Sequence, residues 1–326
     1  MRSEIPEQPD KGLLPMLIQP PTRIYRSWAA DSRRWNDYRP RTGDIVIATY
    51  PKSGTTWMQQ IVSLLIFQSP EPRPIAEIAP WFDRRELEDT PEAIMRRLDA
   101  QTHRRFIKSH VPFDGMPIYD EVKYIHVARD GRDACLSYHN HCRAFTESNL
   151  ARFDTFGLAD EALGRPYPRA PENPRDFFLR WMHEGLNGEP DGMPFGSWFN
   201  LERTWWAERH RSNVLMVHYR DLKADLHGEM QRIAAFLDIP VPAPLRATLI
   251  EAATFANMRR HADELHPIIA RAMIGGAATF FHKGENDRWR GVLTDDDMAA
   301  FEVRAREHFE PACAKWLQDG RTTSTA

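Results

Sequence analysis

Asp44-Ile45-Val46-Ile47-Ala48-Thr49-Tyr50-Pro51-Lys52-Ser53-Gly54-Thr55-Thr56-Trp57, running on into Met58-Gln59-Gln60-Ile61-Val62-Ser63-Leu64-Leu65-Ile66-Phe67, is the stretch that decides the fold. It reads as an apolar strand, a tight polar turn and a long amphipathic helix. Such a turn offers free backbone N–H groups at a helix N-terminus, here beside a lysine and three hydroxyls. That is the chemistry of an anion site, and phosphate is its usual guest. A Walker-A loop reads G-x-x-x-x-G-K-[S/T], with its lysine after the second glycine. Here Lys52 precedes Gly54, no glycine opens the loop, and Gly43 lies on the far side of the strand. The turn is expected to grip a phosphate, but not in the manner of an ATPase.

Similar units recur along the chain. Arg105-Phe106-Ile107-Lys108 reads as a strand ending at Ser109-His110. Lys123 to Ala128 reads as another, and Arg129-Asp130-Gly131-Arg132-Asp133 opens the next helix. Asn213 to Tyr219 is a further buried strand, and Leu222 to Leu237 an amphipathic helix that stops before Pro240. Apolar strands alternating with helices predict a parallel sheet covered on both faces. The expected fold is a three-layer α/β/α domain with a central parallel sheet, of the P-loop-NTPase-like class. It spans residues 23–326, behind a loosely ordered proline-rich arm at 1–22. Residues 147–174 read as an irregular insertion, and 261–290 as a long loop without periodicity, a length that is usually functional or mobile. Ligands of an open α/β sheet sit beyond the carboxyl ends of its strands. Lys52 to Trp57, Lys108 to His110 and Arg129 to Asp133 are therefore expected to converge on one crevice.

Composition narrows the setting. The 326 residues carry a net charge of −3, so no global field favours nucleic acid or an acidic membrane, and local basic clusters must carry any anion binding. Cys135, Cys142 and Cys313 form no C-x-x-C pair, which argues against a disulfide framework. The longest apolar run, Ile61 to Phe67, is far short of a membrane span. The first residues have no apolar signal-peptide core. The expected setting is soluble and cytoplasmic.

The strand ends carry the chemistry. His110, beside the anion loop, is placed to act as a base, which contributes on the order of 10²–10⁴ in rate when a hydroxyl must become a nucleophile. Lys52 and Lys108 can stabilise charge on a transferring group. Arg129 and Ser137, eight residues apart across a strand-to-helix junction, can clamp a second phosphate, arginine through its planar fork. An ion pair of Arg129 with Asp130 or Asp133 is the structural alternative. His139 and His141 point about 200° apart on a helix and cannot share a metal without distortion. His139 with Cys142 supplies too few ligands, and no metal site is expected.

These motifs together resemble those of the cytosolic sulfotransferases, which move a sulfuryl group from 3′-phosphoadenosine 5′-phosphosulfate (PAPS) to a hydroxyl or amine and release the 3′,5′-bisphosphate (PAP). TYPKSGTTW is similar to the family's 5′-phosphosulfate loop, which implies cosubstrate contacts from Lys52, Ser53, Gly54, Thr55, Thr56 and Trp57. Lys108-Ser109-His110-Val111-Pro112 is similar to K-T-H-L-P, whose histidine is the family's catalytic base. The resemblance assigns Lys52 to the bridging oxygen of the leaving group, with Lys108 nearby and no metal required. Tyr124 to Tyr138 resembles the 3′-phosphate motif, implying that Arg129 and Ser137 hold that phosphate. Tyr219 matches a residue near the adenine. Thr254-Phe255-Ala256-Asn257-Met258 resembles T-S-F-x-x-M, with Ala253 at its first threonine, implying adenine-side contacts from Thr254, Phe255 and Met258. Phe281-His282-Lys283-Gly284 resembles the R-K-G loop over the 3′-phosphate, with His282 in place of the arginine. Asp287-Arg288-Trp289 departs from the family's G-D-W. The dimer motif K-x-x-x-T-V-x-x-x-E is absent near the C-terminus, which leaves the oligomeric state open.

The implied acceptor is a phenol, alcohol, steroid or glycolipid hydroxyl, and its pocket is expected to use Trp81, Phe82, His139 and Phe145, with His141 a further candidate. Arg84-Arg85 reads as a solvated face. The competing classes are a nucleotide kinase or NTPase, disfavoured by the misordered loop and the lack of a Walker-B acid, and an idle nucleotide binder, which would need neither His110 nor Lys52.

Overall fold

The computed structural model describes residues 14–85 and 89–321. Its centre is a four-stranded parallel sheet of β2 (Ile45–Thr49), β3 (Phe106–Ser109), β5 (Lys123–Ala128) and β8 (Val214–His218), in the order β3-β2-β5-β8. Val46 pairs with Ile107 on one side and Tyr124 on the other, and His126 pairs with Met216. Two short antiparallel pairs lie apart from it: β1 (Leu17–Gln19) with β4 (Ile118–Tyr119), and β6 (Gly185–Leu186) with β7 (Glu189–Gly192).

Alternation along β2 builds the two faces. Ile45 and Ile47 point into one core, Val46 and Ala48 into the other, and all four are fully buried. The first core is closed by α1 (Thr55–Phe67), α9 (Leu226–Phe236) and α10 (Ala243–Ala252), through Ile61, Leu65, Ile233 and Leu249. The second is closed by α4 (Gly131–Arg143), α6 (Pro174–His183) and α7 (Trp198–Ala207), through Cys135, Trp181 and Trp205. The parallel order and the apolar residues on both faces establish the three-layer architecture read from sequence.

The remaining helices fill the periphery: α2 (Ile75–Ile78), α3 (Pro91–Asp99), α5 (Glu147–Ala159), α8 (Tyr219–Ala224), α11 (Phe255–Arg260), α12 (Ala262–Leu265), α13 (Pro267–Ala272), α14 (Gly276–Phe280), α15 (Asp295–His308) and α16 (Pro311–Asp319). Thr90 caps α3, accepting from Ala93 N at 3.2 Å with Pro91 in the first turn.

Four expectations are corrected. The arm at 1–22 lies outside the described residues up to position 13, but Leu17–Gln19 is strand β1, held by pairing with β4. The insertion after residue 146 begins with a full helix, α5, capped by Thr146. Half of the stretch 261–290 is helical, in turns too short for any periodicity to register, and the rest is loop. Arg85 is not a solvated charge: it is buried in an ion pair with Asp160.

Candidate active site

All four sheet strands deliver a side chain to one edge. Past β2 the chain turns through Lys52, whose φ is +68°, and Gly54, whose φ is +111°, before α1 begins. Gly54 is required there. A Cβ at this position would lie 3.0 Å from the Tyr219 ring, in a backbone conformation that L side chains rarely adopt. Tyr219, at the end of β8, packs edge-on to Trp57 at 5.4 Å, and the Trp57 indole donates to Ala253 O at 2.8 Å. Thr49 and Thr55 share a hydroxyl–hydroxyl bond of 2.5 Å across the turn, while Ser53 Oγ is buried with no partner.

Past β3 comes His110, buried, with Nδ1 2.7 Å from Thr49 O. A carbonyl only accepts, so Nδ1 carries the hydrogen and Nε2 keeps its lone pair. Nε2 makes no hydrogen bond with a described residue. Residues 80–82 run alongside β3, with Lys108 N bonded to Pro80 O at 2.9 Å and Phe82 N to Lys108 O at 3.1 Å. This sets the Trp81 ring edge-on to His110 at 4.9 Å and beneath Lys108 Nζ at 4.5 Å.

Past β5 comes Arg129. Its guanidinium lies 4.3 Å over the Tyr219 ring, donating to Lys52 O at 3.0 Å and Glu285 O at 2.6 Å, while Nε is buried and unpartnered. The aspartates that could have claimed it are engaged elsewhere. Asp130 pairs with Arg132, and Asp133 accepts from the backbone N–H groups of Asp287 and Arg288, each at 2.8 Å.

These groups line a cavity of about 750 Å³. Lys52, Lys108, Arg129, Lys283 and Arg288 all reach it, and none forms an ion pair with a described residue. The chain is acidic overall, yet this cavity gathers unneutralised cations. Burial, then Arg129 and Lys108, push Lys52 down to about 7. Burial and then Arg84 push Lys108 to about 8, against the pull of Asp83. Burial, Lys108 and Lys52 hold His110 well below the ordinary imidazole range. The site therefore combines a neutral imidazole with lysines ready to take up a proton when an anion arrives.

The family model of the sulfotransferase domain matches residues 42–319. A glycolipid sulfotransferase of Mycobacterium bovis is 34% identical over 314 residues, covering 91% of this chain and 94% of that protein. The chain belongs to the sulfotransferase family. It is also 25% identical to mouse sulfotransferase 1E1, over 88% of this chain and 92% of that one. Among solved structures, the mouse sulfotransferase SULT7A1 complexed with PAP superposes with a TM-score of 0.64 at 21% identity, over 87% of this chain and 90% of that one. A retinol dehydratase in complex with androsterone and PAP gives 0.65 at 22%, over 90% and 88%. These two likenesses concern the fold, which they share with this sulfotransferase.

The family's motif residues are distributed unevenly about the cavity. Lys52, Gly54, Thr55, Thr56, Trp57, Lys108, His110, Arg129, Ser137, Tyr219, Phe255, Met258, His282, Lys283 and Gly284 all line it, as do Trp81 and Phe145. Ser53 sits behind the loop and does not. Thr254 is not brought in either: its hydroxyl caps α11 through Asn257 N at 3.2 Å and donates to Glu251 O at 2.8 Å. Phe82 is core, 4.8 Å from Trp35, because it sits in the turn after Trp81 and packs inward while Trp81 takes the cavity side. His139 faces away and bonds Pro171 O at 2.8 Å. Ser137 and His141, four apart, share the cavity face of α4, which leaves position 139 on the other. The sequence reading missed Arg288, Phe195 and His266 as lining residues. Arg288 was visible only as a departure from G-D-W, and His266 stood in a stretch with no pattern. Among the described residues no cluster of three or more metal-ligating side chains occurs.

Proposed function

We propose that this enzyme transfers the sulfuryl group of PAPS to a hydroxyl on an apolar or lipid-linked acceptor, with His110 as general base. The observation that carries the reading is the pairing of unneutralised cations with a neutral, tautomer-fixed imidazole in one cavity. The residues suit a doubly phosphorylated nucleotide: the buried Arg129 Nε lacks a partner, and five cations lack carboxylates.

The turn Lys52 to Thr56 would hold the 5′-phosphosulfate, and Arg129, Ser137, Lys283 and Arg288 the 3′-phosphate, with Tyr219, Trp57, Phe255 and Met258 against the base. Bound PAPS supplies a sulfuryl group attached to a phosphate oxygen that leaves as an anion. His110 Nε2 accepts the acceptor's hydroxyl proton, and the Nδ1 bond to Thr49 O keeps the ring oriented as it charges. Lys52 and Lys108 hold protons at the leaving side and stabilise the charge that develops there. Trp81, Phe195 and Phe145 keep water from the reacting hydroxyl. The M. bovis relative's name supports a lipid-linked acceptor. The three buried free cysteines support a cytoplasmic setting, and no helix among the described residues is long and apolar enough to cross a membrane.

Equilibrium binding tests the donor. PAP is expected to bind at least ~10-fold more tightly than 5′-AMP, because only PAP engages the second cation group. Equal affinity for the two, or tighter binding of ATP than of PAP, would sink the reading.

A further inference from the structure

Of the cavity histidines with no part in the mechanism above, His141 and His266 each keep a buried ring nitrogen without a partner. His141 reaches the cavity from α4 and His266 from the junction of α12 and α13. Both stand at the ring of Phe280, His141 at 5.7 Å and His266 at 5.4 Å, and the face of that ring carries Lys52 Nζ at 4.0 Å. Both imidazoles and the lysine of the anion loop therefore meet at one aromatic ring. His266 is 4% exposed, and the rest of His141's surroundings are aromatic, with Phe145 edge-on at 4.9 Å and Tyr138 stacked at 6.1 Å. His141 Nδ1 and His266 Nε2 are buried without a partner, and neither ring makes a hydrogen bond with a described residue.

Burial and the neighbouring Lys52 and Lys108 disfavour a charge on either ring, and His266 is pushed to about 3. Each ring is then one N–H donor and one lone pair. That combination matches a hydroxyl, which also donates and accepts. An anion would accept from the N–H and leave the lone pair of each ring unmatched. Native proteins seldom leave a buried polar atom unsatisfied, and a ligand that completes the bonds is a standing explanation. A single-hydroxyl acceptor is fully occupied by His110 and leaves both rings unpaired. An acceptor with further hydroxyls beside the reacting one fills them.

We infer that His141 and His266 form a polar recognition site for additional hydroxyls on the acceptor, so that its head group is a sugar or similar polyol on an apolar body. The apolar body has its place beyond them, among Phe153, Tyr167, Ile269 and Met273. Neither histidine is a catalytic residue in this account; they set which acceptor is held. The inference rests on the sulfotransferase reading above and adds the chemistry of the head group.

The test is direct binding of octyl β-glucoside, below its micelle-forming concentration, against 1-octanol, each titrated with and without PAP. The wild-type protein is expected to bind the glucoside at least ~10-fold more tightly than the alcohol, since sites built for hydrogen bonds discriminate strongly against ligands lacking them. His141→Phe and His266→Phe should each remove most of that preference, with octanol and PAP affinities held within about twofold. His141→Gln and His266→Gln, which keep a donor and an acceptor, should retain much of it. No glucoside preference in the wild type, or a preference that survives both Phe variants, overturns the inference. So does an equal loss for octanol and glucoside. Failure to bind PAP with the glucoside preference intact counts instead against the donor assignment.

Discussion

At the scale of single residues, one proton and a few charges decide the proposed chemistry. If the imidazole takes the acceptor's proton as proposed, His110→Ala lowers turnover by at least ~10² while leaving PAP affinity largely intact. A near-wild-type rate would remove His110 from the mechanism. Lys52 at about 7 and Lys108 at about 8 are partly neutral at pH 8. An anion beside them raises both values, so PAP binding should take up protons there. Calorimetry at pH 8 in two buffers of different ionisation heat reads that uptake, and release would contradict it. Arg288→Ala should weaken PAP by ~10-fold or more and 5′-AMP much less. His110, Lys52 and Arg129 were legible in the sequence because each follows an apolar strand, and a strand end has one place to point. Phe82 and His139 were misplaced by one or two positions. Which of two neighbouring side chains faces the cavity depends on contacts with Trp35 or Pro171 that lie far off in sequence.

Among the elements, the strand–turn–helix unit is the most constrained. Gly54→Ala puts a Cβ against Tyr219 at a positive φ, which costs on the order of 1–3 kcal/mol. A lower thermal midpoint together with weaker PAP binding is the expected outcome, and unchanged values for both would show that the turn is not held as described. The wall opposite is assembled differently. Thr146 N bonds Ala272 O at 3.1 Å and Ile274 N bonds Ala144 O at 2.7 Å, so the end of α4 is stitched to the α13–α14 segment. These helices have four to six residues, less than two turns, and no hydrophobic repeat fits in that length. Helix α5 escaped notice for another reason. Few of its side chains are buried, Phe153 among them, so its apolar stripe is faint.

For the molecule as a whole, the sheet and its two cores could be read ahead of the structure because each strand is apolar on both faces. The order β3-β2-β5-β8 then gathers four strand ends into one cationic cavity. The acceptor side was out of reach because its walls come from segments with no periodic pattern. The central claim, donor and chemistry together, is tested by incubating the purified protein with PAPS and a set of phenols, sterols, alkyl alcohols and alkyl glycosides, and identifying products by mass spectrometry. A sulfated hydroxyl product with PAP released one for one is expected. Intact PAPS with every acceptor, alongside magnesium-dependent hydrolysis of ATP, would contradict it.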